Sequence, residues 1–373
     1  MDFSLTEEQE MMCKSARDFL AEMYPSPKKL VREMEKDEKG YSPEVWDRMA
    51  ELGWMGMVVP EEYGGMGGSY FNLALLLEEM GRACLPGPFF STIVLGGLTI
   101  LEAGSEEQKK ELLPEVAKGR MLLTLALYES DAQLSADSVK AEAVSSNNGW
   151  LLKGAKLFVP DAHIAKYIIC PARTPQGISL FLLDAKSPGV GCILLKTLAG
   201  DKQCEVIFDN VKFPQHNLLG ELGHGWDYIE RILPKVTIAK CAEMVGGAQQ
   251  VLEMAVSYAK GRVQFEHPIG SFQAIQHHCA NMAIDVDSLR LITYQVAWML
   301  SEGLPCAREV SIAKAWVGEA YHRVSMLAAE IHASIGLTMD HDFPLYYRRA
   351  KAAELVFGDG DFHREIVARM AGL

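Results

Sequence analysis

The segment richest in chemistry is Gly261-Arg262-Val-Gln-Phe265-Glu-His-Pro268-Ile269-Gly-Ser-Phe272-Gln273, which interrupts two long helical patterns. It sets a guanidinium, an aromatic ring, a proline and a carboxamide in one short connection. A guanidinium can give two charge-assisted hydrogen bonds to a diphosphate while Phe265 packs on a planar or ribose group. The same residues also suit a plain inter-helix loop with a surface arginine, and spacing alone does not choose between the two. A second candidate, Gly64-Gly65-Met66-Gly67-Gly68, lacks the register of a dinucleotide-binding loop and any preceding parallel strand. It reads as a flexible turn between helices. No metal site is expected: the chain has no HExxH and no CxxC, and the neighbours His277 and His278 would point in different directions on a helix. A nucleophile elbow, GxSxG, is also missing.

These residues belong to a chain of 373 residues with 36 Lys+Arg against 49 Asp+Glu, a formal net charge of −13. A hydrophobic fraction of 49% with 23% charged residues excludes global disorder. At about 150 residues per domain the length suggests two or three domains. The acidic balance argues against nucleic-acid or anionic-membrane partners, since phosphate binding needs a cationic face. It leaves room for a phosphate-bearing small ligand held by a few local arginines. The longest apolar run, near Ser91–Leu101, is broken by Ser, Thr and Gly and reads as a buried helix, not a membrane span. An acidic N-terminus argues against export, and eight scattered cysteines without close pairing read as reduced, mostly buried thiols. The expected compartment is cytoplasmic.

Periodicity divides the chain into three domains. Over 1–120 it is helical, with capping boxes at Thr6/Gln9 and Ser105/Gln108 and helices expected over 43–52, 71–82 and from 105 to Gly119. Over 121–225 short apolar or alternating segments (150–154, 155–159, 167–170, 178–183 and 204–208) are punctuated by Asn147-Asn-Gly, Pro175-Gln-Gly, Ser187-Pro-Gly and Gly200-Asp. No helices intervene for crossovers, so an antiparallel barrel or sandwich is expected. Over 226–373 four amphipathic stretches (229–260, 271–300, 307–335 and 344–370) predict a four-helix bundle. The fold class is α+β.

The run GRVQFEHPIGSFQAIQ resembles the acyl-CoA dehydrogenase signature R-x-x-F-G-x-P-I-x-x-F-Q. Supporting matches are Gly53-Trp-Met-Gly-Met-Val-Val-Pro-Glu-Glu-Tyr-Gly-Gly, Gly104-Ser-Glu-Glu-Gln-Lys with Leu-Leu-Pro114, Gly154-Ala-Lys156, Ala242-Glu-Met-Val-Gly-Gly-Ala-Gln249 and Ile335-Gly-Leu-Thr. The resemblance covers almost the whole chain. It implies an oligomer, commonly a dimer of dimers, with FAD between subunits. One subunit would hold the isoalloxazine, near Tyr128 and Phe158, and Arg262, Phe265 and Gln273 would contact the neighbour's FAD. It also implies α-proton removal from an acyl-CoA by a carboxylate, hydride transfer to the flavin, and electron delivery to an electron-transfer flavoprotein.

Departures from the family pattern carry their own information. The Thr-Glu-Pro loop is here Tyr128-Glu129-Ser130, followed by Asp131-Ala-Gln-Leu-Ser135 where a Gly/Ser-rich run is usual, and Trp-Ile-Thr is Phe158-Val159-Pro160. The Gln-x-x-Gly-Gly-x-Gly helix end is Glu330-Ile-His-Ala333-Ser334-Ile-Gly336, which puts a carboxylate and Cβ atoms where a diphosphate would approach. The position of the family's catalytic glutamate is Phe357, and the alternative position falls near Val236. Neither accepts a proton, which leaves Asp359, Asp361 or Glu243 as relocated bases. The closing segments, His341-Asp-Phe-Pro-Leu-Tyr-Tyr-Arg348-Arg349 and Phe357-Gly-Asp-Gly-Asp-Phe-His363-Arg364, resemble the smaller subunits of bacterial heteromeric acyl-CoA dehydrogenases. In such assemblies a subunit without a base completes its partner's site. The remaining alternatives are a homo-oligomer with a relocated base and a non-catalytic acyl-CoA-binding scaffold. Arg348 and Arg349 could face an anion or be helix-surface charges.

Overall fold

The structure, a computed structural model, describes residues 4–23, 27–146, 149–336, 338 and 340–373. The expected Asn147-Asn148 turn and Leu337 of the Ile335-Gly-Leu-Thr run lie outside the described residues. Eleven helices appear among them: α1 Glu7–Met23, α2 Pro27–Lys36, α3 Pro43–Glu51, α4 Tyr70–Arg82, α5 Leu98–Ala103, α6 Glu106–Ala117, α7 Gly225–Gly261, α8 Gln273–Ser301, α9 Ala307–Gly336, α10 Phe343–Leu355 and α11 Gly360–Met370. Tertiary contacts divide the chain into two compact units. One holds Met1–Glu33, Ser69–Leu85 and Thr237–Leu373; the other holds Met34–Gly68 and Pro86–Val236.

The first unit is a helical bundle in which α4 packs on α1 and α8, and α9 packs on α8, α10 and α11. Ser69 caps α4 by accepting the Asn72 N–H at 3.1 Å, and the helix is buried along most of its length. At its C-terminal end α4 crosses α7 unusually closely. A Cβ on Gly81 would lie 2.0 Å from the Glu243 carbonyl oxygen, and one on Gly246 would lie 1.8 Å from that of Glu78. Only glycine permits backbone contact of this kind at both helices. The helix expected over 344–370 is two helices, broken at Val356-Phe357-Gly358 by positive φ at Phe357 (61°) and Gly358 (92°). The apolar repeat runs through this break because both pieces bury a face, so periodicity does not register it.

The second unit is built on β1 Leu123–Leu125, β2 Glu142–Ser146, β3 Gly149–Pro160, β4 Tyr167–Thr174, β5 Gly177–Asp184, β6 Val190–Leu195, β7 Gln203–Pro214 and β8 Leu218–Leu219. Their order is β6-β7-β3-β2-β4-β5-β8, with β1 branching onto β4. Most pairings are antiparallel, but β1 and β2 both pair with β4 in parallel, which the turn-rich sequence does not reveal. The two segments expected over 150–159 form one strand, β3, irregular between Leu152 and Gly154 and between Lys156 and Val159. Trp150, Phe181, Phe208 and Phe213 fill the core on this sheet. The run near Ser91–Leu101 is buried as expected, as a π-helical stretch Phe90–Gly97 continuing into α5. Both expected capping boxes form, Thr6 with Gln9 and Ser105 with Gln108.

The glycine-rich turn is not a loose one. Its amides fold back on the preceding strand of chain, with Gly67 N–H donating to the Val59 carbonyl and Gly68 N–H to that of Met57. A Cβ at Gly65 would lie 2.0 Å from the Val59 oxygen, so the glycines serve close packing rather than flexibility.

Replacing Gly246 by Ala should destabilise the chain by about 2 kcal/mol or more, since a methyl forced against backbone cannot be relieved by a rotamer change. The denaturant midpoint of G246A checks this, and a midpoint equal to that of the parent would contradict the helix crossing.

Candidate functional site

In the second unit, Glu129 anchors a polar knot between β3 and the chain leading into β2. Its carboxylate is buried and accepts the Lys140 N–H at 3.0 Å, the Ala141 N–H at 3.1 Å and the Lys156 ammonium at 2.7 Å. Lys156 is itself completely enclosed, so each charge is compensated by the other. The adjacent Tyr128 carbonyl accepts the Leu157 N–H at 2.9 Å, which ties the Tyr128-Glu129-Ser130 loop to β3. Immediately beyond, at the bulge, Phe158 adopts φ 54° and is 46% exposed. A bulky residue in that conformation is rare and costs roughly 1–3 kcal/mol, a strain that clusters at functional sites. The backbone bridge thus sets the half-buried Tyr128 beside the exposed Phe158 along the chain. Pro160 follows with no N–H, its carbonyl accepting the Thr124 hydroxyl at 2.6 Å.

In the first unit, Arg262, Phe265 and Gln273 share the connection between α7 and α8. A two-residue ladder, β9 Val263–Gln264 with β10 His267–Pro268, forms a small hairpin there, closed by the Ile269 N–H on the Arg262 carbonyl at 2.8 Å. All three side chains are exposed, and Phe265 is 85% exposed with its ring edge-on to Phe272. This is an exposed hairpin finger with a cation at its base and an aromatic at its tip. At the end of α9, Ala333 holds φ 51°, ψ −141°, a conformation natural only to glycine. The backbone thus keeps a glycine-shaped cradle although the residue carries a Cβ. Glu330 faces His278 Nε2 at 3.5 Å, a partner its sequence position does not announce. Arg348 and Arg349 are half-buried rather than simple surface charges, and Arg349 donates to the Leu85 carbonyl at 3.0 Å.

The break between α10 and α11 is the third element. Phe357 is buried and supplies no carboxylate. Lys314, on α9 and 1% exposed, donates to the carbonyls of Glu354 and Gly358, each at 2.8 Å; burial pushes its pKa down to about 8. His363 Nε2–H donates to the Phe357 carbonyl at 2.9 Å, and burial lowers its pKa to about 4, so it is neutral, with Nδ1 unpartnered. Asp359 caps α11 by accepting the Phe362 N–H at 2.9 Å. Of the other carboxylates, Asp361 is exposed and pairs with Arg364, Glu243 pairs with Lys240, and Val236 is buried and apolar.

A polar cavity of about 140 Å³ also lies in this unit, lined by Arg17, Glu78, Glu79, Arg82, Gly246, Gln249, Glu253 and Arg290. Its charges are matched: Arg17 with Glu79, Arg82 with Glu253, and Arg290 with Glu78, whose other oxygen accepts the Tyr294 hydroxyl at 2.8 Å. Burial raises the Glu78 carboxyl, opposed by Arg290 and Tyr294. Three arginines cancel three glutamates, so the cavity reads as internal bracing of the bundle.

His363 generates a prediction. Its folded pKa lies below the ordinary 6.5, so its contribution is intact above pH 6.5 and is lost as pH falls toward about 4. The loss amounts to at most about 3 kcal/mol. His363→Gln should therefore flatten the acid limb of stability in this window. Urea midpoints on either side of it would decide, and unchanged pH dependence would show that His363 is not the titrating group.

Comparison with known proteins gives the family. Models of the acyl-CoA dehydrogenase N-terminal, middle and C-terminal domains match residues 6–120, 124–211 and 223–372. The acryloyl-CoA reductase (NADH) of Anaerotignum propionicum is 32% identical over 380 residues, covering 99% of this chain and 95% of the relative. A glutaryl-coenzyme A dehydrogenase in complex with glutaryl-CoA superposes with TM-score 0.94 at 30% identity, covering 100% of this chain and 97% of the other. The ChsE4-ChsE5 complex of Mycobacterium tuberculosis superposes with TM-score 0.91 at 27% identity, covering 100% and 99%. The hairpin signature and the α+β layout agree with these matches: this chain belongs to the acyl-CoA dehydrogenase family, FAD-dependent oxidoreductases acting on the CH–CH bond of acyl-CoA thioesters.

Proposed function

We propose that this chain is one subunit of a hetero-oligomeric acyl-CoA dehydrogenase in which a partner subunit supplies the catalytic carboxylate. The observation that carries the reading is the α10–α11 break, where a buried phenylalanine stands at the position of the family's base and the nearest carboxylate, Asp359, is engaged as a helix cap. A base must reach the substrate's α-proton with a free lone pair. Phe357 has none, and moving the Asp359 carboxylate would uncap α11. The likeness to the two-component ChsE4-ChsE5 complex supports the same reading.

The residues present fit FAD in part. Phe158, exposed and strained at its bulge beside Tyr128, offers a face for the isoalloxazine ring. The guanidinium of Arg262 and the carboxamide of Gln273 would bind the diphosphate of a neighbouring subunit's FAD, with Phe265 against its ribose. FAD, when bound, accepts the substrate's β-hydrogen as hydride. This chain's residues bind and orient; they do not take the α-proton. At the end of α9 Ala333 carries a Cβ and Glu330 a carboxylate, which disfavour a diphosphate there. Electron delivery to an electron-transfer flavoprotein completes the proposed cycle.

Produced alone, the chain should carry little FAD and turn over acyl-CoA negligibly; with its partner subunit it should carry FAD and be active. Flavin absorbance and acyl-CoA oxidation with an artificial electron acceptor measure both, and full activity of the isolated chain would end the proposal. Asp359→Asn keeps a good helix cap, so the assembly should retain its turnover and α-proton exchange. Loss of both with the fold intact would make Asp359 the base. Arg262→Ala should weaken FAD binding in the assembly by roughly tenfold to a hundredfold, as expected for a lost charged hydrogen-bond pair worth about 1.5–3 kcal/mol.

A further inference from the structure

The edge strand β6 carries Cys192, the one exposed thiol of the chain's eight cysteines. The register sets Cys192 opposite Val206 and Leu194 opposite Cys204, so Cys192 and Cys204 share one face of the β6–β7 ladder on a diagonal. Each thiol perturbs the other's ionisation, Cys192 being lowered and Cys204 raised from the ordinary thiol range. Cys204 is fully buried, and its Sγ lies 3.9 Å from His163 Nδ1. The other ring nitrogen, Nε2, is 2.9 Å from the Glu38 carbonyl, which can only accept. Nε2 therefore donates to that carbonyl, and Nδ1 is the ring nitrogen that faces Cys204.

We propose that Cys192 and Cys204 form a reversible dithiol–disulfide site, with Cys192 as the attacking thiol, Cys204 as the resolving thiol, His163 as the base for Cys204 and a low-molecular-weight disulfide as the oxidant. The Cys192 thiolate attacks one sulfur of the oxidant, whose S–S bond breaks and releases a thiolate. Cys204, giving its proton to His163 Nδ1, then attacks the Cys192 sulfur and expels the second thiolate. The two cysteines lose two electrons and two protons, and the oxidant is reduced to two thiols. The neighbouring Cys204 lowers the Cys192 thiol below its ordinary range, which favours the first step. β6 is hydrogen-bonded on one side only, to β7, so it can adjust as the sulfurs close to bonding distance. The product staples the sheet's edge strand to its neighbour.

The test treats the intact protein with glutathione disulfide, blocks remaining thiols by alkylation and digests with trypsin, which cuts at Lys196 and Lys202 between the two cysteines. A cross-linked Cys192–Cys204 peptide pair is expected, reversed by dithiothreitol. Cys204→Ser should arrest the reaction at a stable glutathione adduct on Cys192, and His163→Gln should slow its resolution roughly tenfold or more. In the wild-type protein, a Cys192 adduct that persists while Cys204 is alkylated would overturn the proposal. So would reaction at Cys13 or Cys279 ahead of Cys192.

Discussion

Lys314 is almost wholly enclosed, and an ammonium removed from water must find acceptors or give up its proton. It finds two carbonyls, at the last turn of α10 and at Gly358, and in doing so fixes the break between α10 and α11. His363 repeats the arrangement from the other side on the Phe357 carbonyl. Both donors are held where the backbone has left its helix and its carbonyls would otherwise go unpaired. The break, the burial of Phe357 and the capping role of Asp359 all follow from this pair of buried donors. The functional reading depends on those same three features.

The second unit solves a related problem with opposite charges. Glu129 and Lys156 are both taken out of water, an arrangement that holds only because each satisfies the other and two backbone amides fill the remaining carboxylate lone pairs. That knot holds the Tyr128 loop against β3, where the strand bulges and turns Phe158 outward. A strained, exposed aromatic on a stiff support is suited to meet a flat ligand, because little conformational freedom remains to be lost on binding.

The two ends of the proposed flavin contact are preserved unequally. The finger with Arg262, Phe265 and Gln273 has its cation, its ring and a hydrogen-bonded hairpin. At the end of α9 the backbone has a glycine-like shape at Ala333, although that residue carries a Cβ. A subunit that contributes to a partner's cofactor needs the finger. A subunit without a base is under less constraint to keep the cradle, and this asymmetry accords with the hetero-oligomeric reading.

Much of this was legible in one dimension. Capping boxes, turn residues and the two hydrophobic periods located most helices and strands, because these depend on neighbours within four residues. The Arg-x-x-Phe hairpin was likewise visible as residue types at a fixed spacing. Tertiary structure alone decided what required partners distant in sequence: the parallel pairings onto β4, the backbone contact of α4 with α7, the split of the last helix, the facing of Glu330 by His278 and the meeting of Cys192, Cys204 and His163. An amphipathic repeat records which face is buried and is blind to a break that leaves that face intact. Burial of a charge is likewise settled only when the chain folds back to surround it, as it does at Lys314.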